Sequence, residues 1–307
     1  MSRFDRLFAR YAEILPEFEA FVATLGTDAP AQVRVNTLKS DPATVAGILR
    51  DGGWHVEPVP WCPWLLTLTG GPRVALGGTL LHGLGHIYLQ SASSALSALA
   101  LSALPGQRVL DLCAAPGSKT TLVAQSMEDR GVLVANEPSG RRCQSLLANL
   151  ERMGVTCAAV TTYPGQNFPL DGRFHRVLVD APCSGEGTWR GPNARPQAVK
   201  DAFLRHLVGQ QTTLLARGYQ LLEPGGELVY STCTYAPEEN EGVVASLLAT
   251  SDALVLPLGL DVPGEPGLAA WQGQEFPAAL GLARRLYPHR FDSEGFFVVR
   301  LARPRAE

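Results

Sequence analysis

Lysine is nearly missing from this chain: of 26 basic residues, 23 are Arg and the rest are Lys39, Lys119 and Lys200. With cations so weighted toward the guanidinium group, each lysine needs its own explanation. The six cysteines (Cys62, Cys113, Cys143, Cys157, Cys183 and Cys233) come no closer than fourteen positions to one another. No CxxC pair for a zinc or redox centre exists, no metal is expected, and the thiols read as reduced. Apolar stretches break off well before the roughly 18 residues a membrane span requires. The N-terminus, MSRFDRLFARYAEILPEF, lacks a signal-peptide run, so a cytoplasmic protein that avoids membranes is expected. Neither GxGxxG nor a P-loop occurs, and there is no internal repeat or low-complexity tract. The net charge of −3 offers no global attraction for nucleic acid, although local basic stretches can still hold phosphate.

What is present suits a folded chain with a substantial core: 307 residues, 46% hydrophobic and 18% charged, with 31 Gly and 23 Pro in no Gly-X-Y period. Phe4, Leu7, Phe8, Tyr11 and Leu15 recur at helical spacing, which predicts an amphipathic packing helix ending near Pro16. Residues 32–88 alternate short β-like runs (Gln32–Leu38, Trp54–Pro58, Trp64–Leu68, His86–Gln90) with a helical stretch, Pro42–Leu49. This predicts an N-terminal unit, residues 1–88, made of a helix and a small α+β module.

From Arg108 apolar strands alternate with helices: Val109–Cys113, Lys119–Gln125, Val132–Glu137, Arg141–Met153, Ala158–Thr162, Val177–Asp180 and Leu228–Ser231. That alternation predicts a doubly wound α/β domain over residues 89–307, with ligands at the carboxyl ends of its strands. Gly295–Leu301 is expected to close the sheet as an antiparallel edge strand.

Four strand ends carry chemistry. The first, VLDLCAAPGSKTT, joins strand to helix through small residues that let the backbone approach a ligand. The second ends in Glu137, where an acid commonly accepts hydrogen bonds from ribose hydroxyls; it could instead cap the following helix. The fourth strand runs into Asp180, Pro182 and Cys183 and the fifth into Cys233, so two thiols fall on the ligand-binding edge. Cys62, Cys113, Cys143 and Cys157 read as small core hydrophobes.

DLCAAPGSKT, VDAPCSGEG and YSTCTYAPEENEG resemble the signature motifs of the RNA (cytosine-5)-methyltransferases of the Nop/Sun family. RVNTLK, HIYLQSASS and FDSEGFFVVRL resemble further family segments, so the likeness runs from about residue 30 to residue 301. APGSKTT, VANE and EGFFVVRL are most similar to the bacterial branch that modifies 16S ribosomal RNA, while eukaryotic tRNA enzymes share APGSKTT. The resemblance implies a class I, Rossmann-like fold with a seven-stranded, mostly parallel sheet, and S-adenosyl-L-methionine as cofactor. It also implies that the extra C-terminal RNA-binding domain of many relatives is lacking.

Cytosine C5 is too weak a nucleophile to take a methyl group directly, so a thiolate must first add at C6. The resemblance assigns that attack to Cys233 and product release to Cys183. A free thiol titrates near 8.5, so a cation is needed beside the attacking one, and Lys119 is the candidate. A protonated Asp180 carboxyl could donate to N3 as negative charge develops there, and the Pro182 carbonyl would suit the exocyclic amine. Cys183 or water could remove the C5 proton. By resemblance the cofactor contacts are Cys113, Ala114, Ala115, Pro116, Gly117, Ser118, Lys119, Glu137, Arg142 and Asp180. Where the family usually has an Asp for the adenine amine this chain has Pro164, leaving a neighbour such as Gln166 to serve.

The expected partner is RNA, 16S ribosomal RNA or the 30S particle first and tRNA second. Arg190, Arg195, Lys200 and Arg205, or the Arg284–Arg290 stretch, could meet phosphates; such runs are commonly only solvated faces. Competing readings are a DNA cytosine-5 methyltransferase that attacks with Cys183, and an RNA-binding or assembly protein without turnover.

Overall fold

The computed structural model describes residues 3–72 and 75–305. The chain opens with α1 (Arg3–Phe8), a 3-10 turn (Ala9–Tyr11) and α2 (Phe18–Leu25). The helix expected to run to near Pro16 stops at Phe8 and goes on only as the 3-10 turn, and a second helix, α2, begins beyond Pro16 and the left-handed Glu17 (φ 52°). Next come β1 (Ala31–Val35), α3 (Pro42–Asp51), β2 (His55–Val59), β3 (Cys62–Thr69), α4 (Leu80–Gly83) and β4 (Ile87–Leu89). The four strands form an antiparallel sheet ordered β2-β3-β1-β4. Its own small core contains Val33, Val35, Val45, Leu49, Leu66, Leu68 and Ile87.

The second part runs α5 (Ala92–Ala100), β5 (Arg108–Asp111), α6 (Ser118–Ser126), β6 (Val132–Asn136), α7 (Gly140–Met153), β7 (Ala158–Thr161), β8 (Phe174–Asp180), α8 (Asp201–Gln220), β9 (Leu222–Thr232) and α9 (Glu241–Thr250). Short strands follow: β10 (Leu254–Leu256), β11 (Glu265–Pro266), β12 (Ala270–Trp271), β13 (Gln274–Glu275) and β14 (Arg284–Leu286), then α10 (Pro288–Phe291) and β15 (Phe296–Ala302). Five strands are parallel, in the order β9-β8-β5-β6-β7, and β15 lies antiparallel against β9 with Val299 opposite Tyr230. Among the described residues this sheet has nine strands rather than seven, because its outer edge beyond β15 is split between β10, β14 and β11.

Strand residues alternate between two buried layers. In β8, Val177 and Val179 face the core that also holds α8 and α9, and Leu178 faces the one that holds α5 and α6. A parallel sheet covered on both faces reads as an unbroken apolar run, which is why RVLVD stands out in the sequence. Residues 3–89 do not pack as one body. Phe8, Tyr11 and Phe21 join the core of the larger sheet, with ring centroids of Phe8 and Phe21 at 5.7 and 5.2 Å from Tyr235. The four-stranded sheet keeps a separate core and is pinned by Arg34, fully buried, which donates to the Ser118 carbonyl (2.8 Å) and the Thr121 hydroxyl (2.7 Å).

Candidate active site

Because Asp180 pairs with Ser231 across β8 and β9, the residues just beyond each strand emerge side by side. Cys183 and Cys233 therefore meet, with their Sγ atoms 3.3 Å apart. The loop after Cys183 is tied back by the Gly187 N–H, which donates to the Cys233 carbonyl (2.9 Å). A side chain at Gly187 would strike the Gly295 carbonyl oxygen at 2.2 Å, so glycine is required where three segments cross. The shared hydrogen bond with Cys233, then burial and the nearby Glu239, hold the Cys183 thiol well above the ordinary cysteine range.

Lys119, second residue of α6, points into the same place. Its Nζ lies 2.9 Å from Asp180 Oδ2 and 3.0 Å from the Ser94 hydroxyl, and 5.6 Å from the Phe296 ring centroid. Burial opposes its charge, but the Asp180 carboxylate and, further off, the Cys233 sulfur hold the ammonium above the usual lysine value. Asp180 Oδ1 accepts from the Ser231 hydroxyl at 2.7 Å. Both carboxylate oxygens thus face donors, Ser231 on one side and Lys119 on the other.

Two buried side chains hold the Pro182–Ser184 backbone. Gln211 Nε2 donates to the Pro182 carbonyl (2.9 Å) and to Glu239 Oε2 (2.8 Å), and the same oxygen accepts from the Ser184 N–H (2.9 Å). Glu186 Oε2 accepts from the Tyr11 hydroxyl at 2.6 Å and from Thr234 Oγ1 at 3.2 Å, and Thr234 in turn bonds the Ser184 hydroxyl at 2.7 Å. Burial pushes the Glu186 carboxyl up to about 7.

A candidate cofactor cradle lies at the ends of β5 and β6. Cys113–Gly117 forms the strand-to-helix loop, and Gly117 at φ 106° precedes α6, leaving the first N–H groups of that helix without intrahelical partners. Glu137, 1% exposed, directly follows β6; it accepts from the Ser139 N–H (2.9 Å) and pairs with Arg142 at 3.0 Å. Arg142 also donates to the Ala115 carbonyl (2.6 Å), fastening one side of the cradle to the other. Helix donors beside a buried acid suit a nucleoside-bearing methyl donor. Pro164 opens the 3-10 turn Gly165–Asn167, with Gln166 exposed beside it.

Cys183, Cys233, Asp180 and Lys119 are brought together, and Cys113–Lys119, Glu137 and Arg142 line the neighbouring cradle. Two expected phosphate contacts are engaged elsewhere: Arg190 (side chain 6% exposed) is bound to Asp292 and the Ser293 carbonyl, and Arg285 is buried on Glu241. Arg195, Lys200 and Arg205 are exposed. Cys62 and Cys143 are buried, whereas Cys113 and Cys157 are partly accessible. Ser94, Gln211, Glu239, Glu186 and Tyr11 escaped the sequence reading. Glu239 sits inside the TCTYAPEEN stretch and was open to notice; Gln211, in mid-helix, carries no local signal.

The comparison with known families meets this geometry. Residues 98–302 match the model of the 16S rRNA methyltransferase RsmB/F family, and residues 5–92 match the N-terminal domain of 16S rRNA methyltransferase RsmF. The chain belongs to the RsmB/F family. A ribosomal RNA small subunit methyltransferase F of Vibrio vulnificus is 38% identical over 94% of this chain and 61% of its own. A tRNA (cytosine(49)-C(5))-methyltransferase of Pyrococcus abyssi is 35% identical over 98% of this chain and 96% of its own. A mouse 28S rRNA (cytosine-C(5))-methyltransferase is 35% identical over 96% of this chain, which spans 38% of that protein. The crystal structure of a methyltransferase homologue from Pyrococcus horikoshii superposes with a TM-score of 0.87 at 32% identity, over 99% of this chain and all of that one. The chain has a Rossmann-like methyltransferase fold with an additional N-terminal sheet.

Proposed function

We propose that this protein methylates C5 of a cytosine in RNA, with 16S ribosomal RNA, free or in the 30S particle, as the substrate. The observation that carries this reading is the pair of thiols 3.3 Å apart at neighbouring strand ends, with the Lys119 ammonium beside them.

Cys233 is the nucleophile. Its thiolate adds to C6, leaving C5 with enamine character, and Lys119 and the Cys183 thiol both favour the charged sulfur: the first as a cation, the second as a hydrogen-bond donor. As charge moves toward N3, the proton it needs comes from the Lys119–Asp180 pair. The Pro182 carbonyl has one lone pair committed to Gln211 and a second for the cytosine amine. Bound S-adenosyl-L-methionine supplies an electrophilic methyl group. The Cys113–Lys119 loop, Glu137, Arg142 and Asp180 would hold it, Glu137 offering an acceptor for ribose hydroxyls and Gln166 serving the adenine amine in place of the Asp that Pro164 replaces. The C5 proton then leaves to water, or to Cys183 once that thiol has given its own proton to solvent; as Cys233 is expelled, the proton on N3 returns to the Lys119–Asp180 pair. The target base must be turned out of any stack, which costs least in single-stranded or loop RNA.

A tRNA substrate is the second reading, supported by the Pyrococcus abyssi relative named for tRNA cytosine 49. Both are tested by incubating labelled S-adenosyl-L-methionine with rRNA, 30S particles and tRNA from cells lacking the protein. Wild type should make 5-methylcytosine, Cys233→Ala none, and Cys183→Ala a trapped protein–RNA adduct. Full activity of Cys233→Ala would make Cys183 the nucleophile, as in DNA enzymes; no label in any RNA would leave an RNA-binding protein without turnover.

A further inference from the structure

A large cavity lies outside both the candidate cofactor cradle and the thiol pair. It measures about 1070 Å³ and opens between α1, the loop after Cys183 and the start of α8. Arg6, Arg10, Trp189, Gln197, Arg205 and Glu238 are among its lining residues. A smaller hollow of about 460 Å³ shares Arg6, Leu7, Gln197 and Ala198 with it and adds Arg3, so the two form one trough.

Arg3, Arg6 and Arg10 are spaced three and four apart and therefore share one face of the opening helix and the turn that continues it. Arg10 is paired with Glu238 on the wall. Arg3, Arg6 and, across the trough, Arg205 are exposed and have no ion-pair partner among the described residues. Trp189 is partly exposed, its ring held by the edge of Phe8 at 6.2 Å. The wall also includes Glu186, whose carboxylate is bonded by Thr234, the residue after Cys233. The trough and the thiol pair therefore share a wall. Rigid guanidinium forks around a cavity large enough for a nucleotide, with an indole inside it, make a site for phosphates and an unstacked base.

Resting on the RNA reading above, we propose that this trough takes the single-stranded nucleotides flanking the target cytosine, with phosphates on Arg3, Arg6 and Arg205 and one base against Trp189. It keeps the neighbouring strand extended while the target is turned toward Cys233.

The test uses the full chain and a short fluorescein-labelled single-stranded RNA with a central cytosine. Arg6→Gln combined with Arg205→Gln removes two surface cations and leaves the core intact. The double variant should bind this RNA about tenfold more weakly at moderate salt. Its salt slope should fall by about 1.4, since each single-strand phosphate left without its guanidinium accounts for about 0.7. Its S-adenosyl-L-methionine binding, followed by calorimetry, should match wild type and so report an intact fold. Unchanged RNA affinity and salt slope, with wild type still methylating RNA, would overturn the trough and leave the RNA reading standing. Failure of wild type to methylate any RNA would remove that reading, and the trough with it.

Discussion

Glu186 is an acid with almost no water: its carboxyl lies between the Tyr11 and Thr234 hydroxyls and is 5% exposed. Burial raises it from an ordinary value of 4.5 to about 7, so the fold favours the neutral form. That preference contributes fully to stability below the unfolded value and is lost as pH rises through the folded one, about 3 kcal/mol in all. Glu186→Gln keeps an acceptor for both hydroxyls and removes the titration. Urea midpoints measured at several pH values should fall from about pH 5 to 8 in wild type and stay flatter in the variant, which should be the more stable of the two at the alkaline end. Parallel slopes would show that Glu186 does not carry this dependence. The same scale explains why Lys119 is one of only three lysines: a compact ammonium reaches Asp180 and Ser94 together in a gap beside the Phe296 ring.

The opening helix segment is a strap across the catalytic sheet and not a part of the small module that follows it in sequence. Its apolar spacing correctly marks Phe8 and Tyr11 as buried, but amphipathic periodicity says nothing about which core receives them. Phe8 is fully buried against Phe21, Trp189 and Tyr235. Phe8→Ala should therefore lower the unfolding free energy by about 3–5 kcal/mol, measured by urea denaturation. Methyl transfer should fall as well, because loosening the strap frees Tyr11 from Glu186. A loss under about 1 kcal/mol would mean that the strap is not integral to this core.

Across the molecule, the two sheets communicate through a few buried polar links. Arg34 on β1 holds the first turn of α6, and Asn36 donates to the Met153 carbonyl at the end of α7. Burial lowers the Arg34 guanidinium to about 9, a cost met by its bonds to Ser118 and Thr121 and by the Tyr88 ring 5.2 Å away. Arg34→Met removes those donors. It should lower stability by about 3 kcal/mol. It should also weaken S-adenosyl-L-methionine binding, since Ser118 starts the helix that faces the cradle. Amide exchange should quicken across β1–β4 while β5–β9 stay protected; equal loss of protection in both sheets would argue against a separable joint.

Short-range patterns carried the parallel sheet, the strand ends and the placement of Cys183 and Cys233 on one edge, because a strand buried on both faces and a strand-to-helix turn leave local signatures. Local pattern also bounded the small sheet closely: Trp54–Pro58 is observed as His55–Val59, and Pro42–Leu49 as Pro42–Asp51. The break after Phe8, the second helix and the long α8 were missed. The divided edge and the partners of each charge depend on residues far apart in the chain. Asp180 faces donors on both oxygens because Lys119 and Ser231 arrive from other elements, 61 and 51 positions away. Gln211 reaches Pro182 from 29 positions downstream, and Tyr11 meets Glu186 across 175. Contacts of that span are set when helices and strands pack, so residue type and spacing could nominate the reacting groups, while packing chose which of them touch and in which charge state they meet.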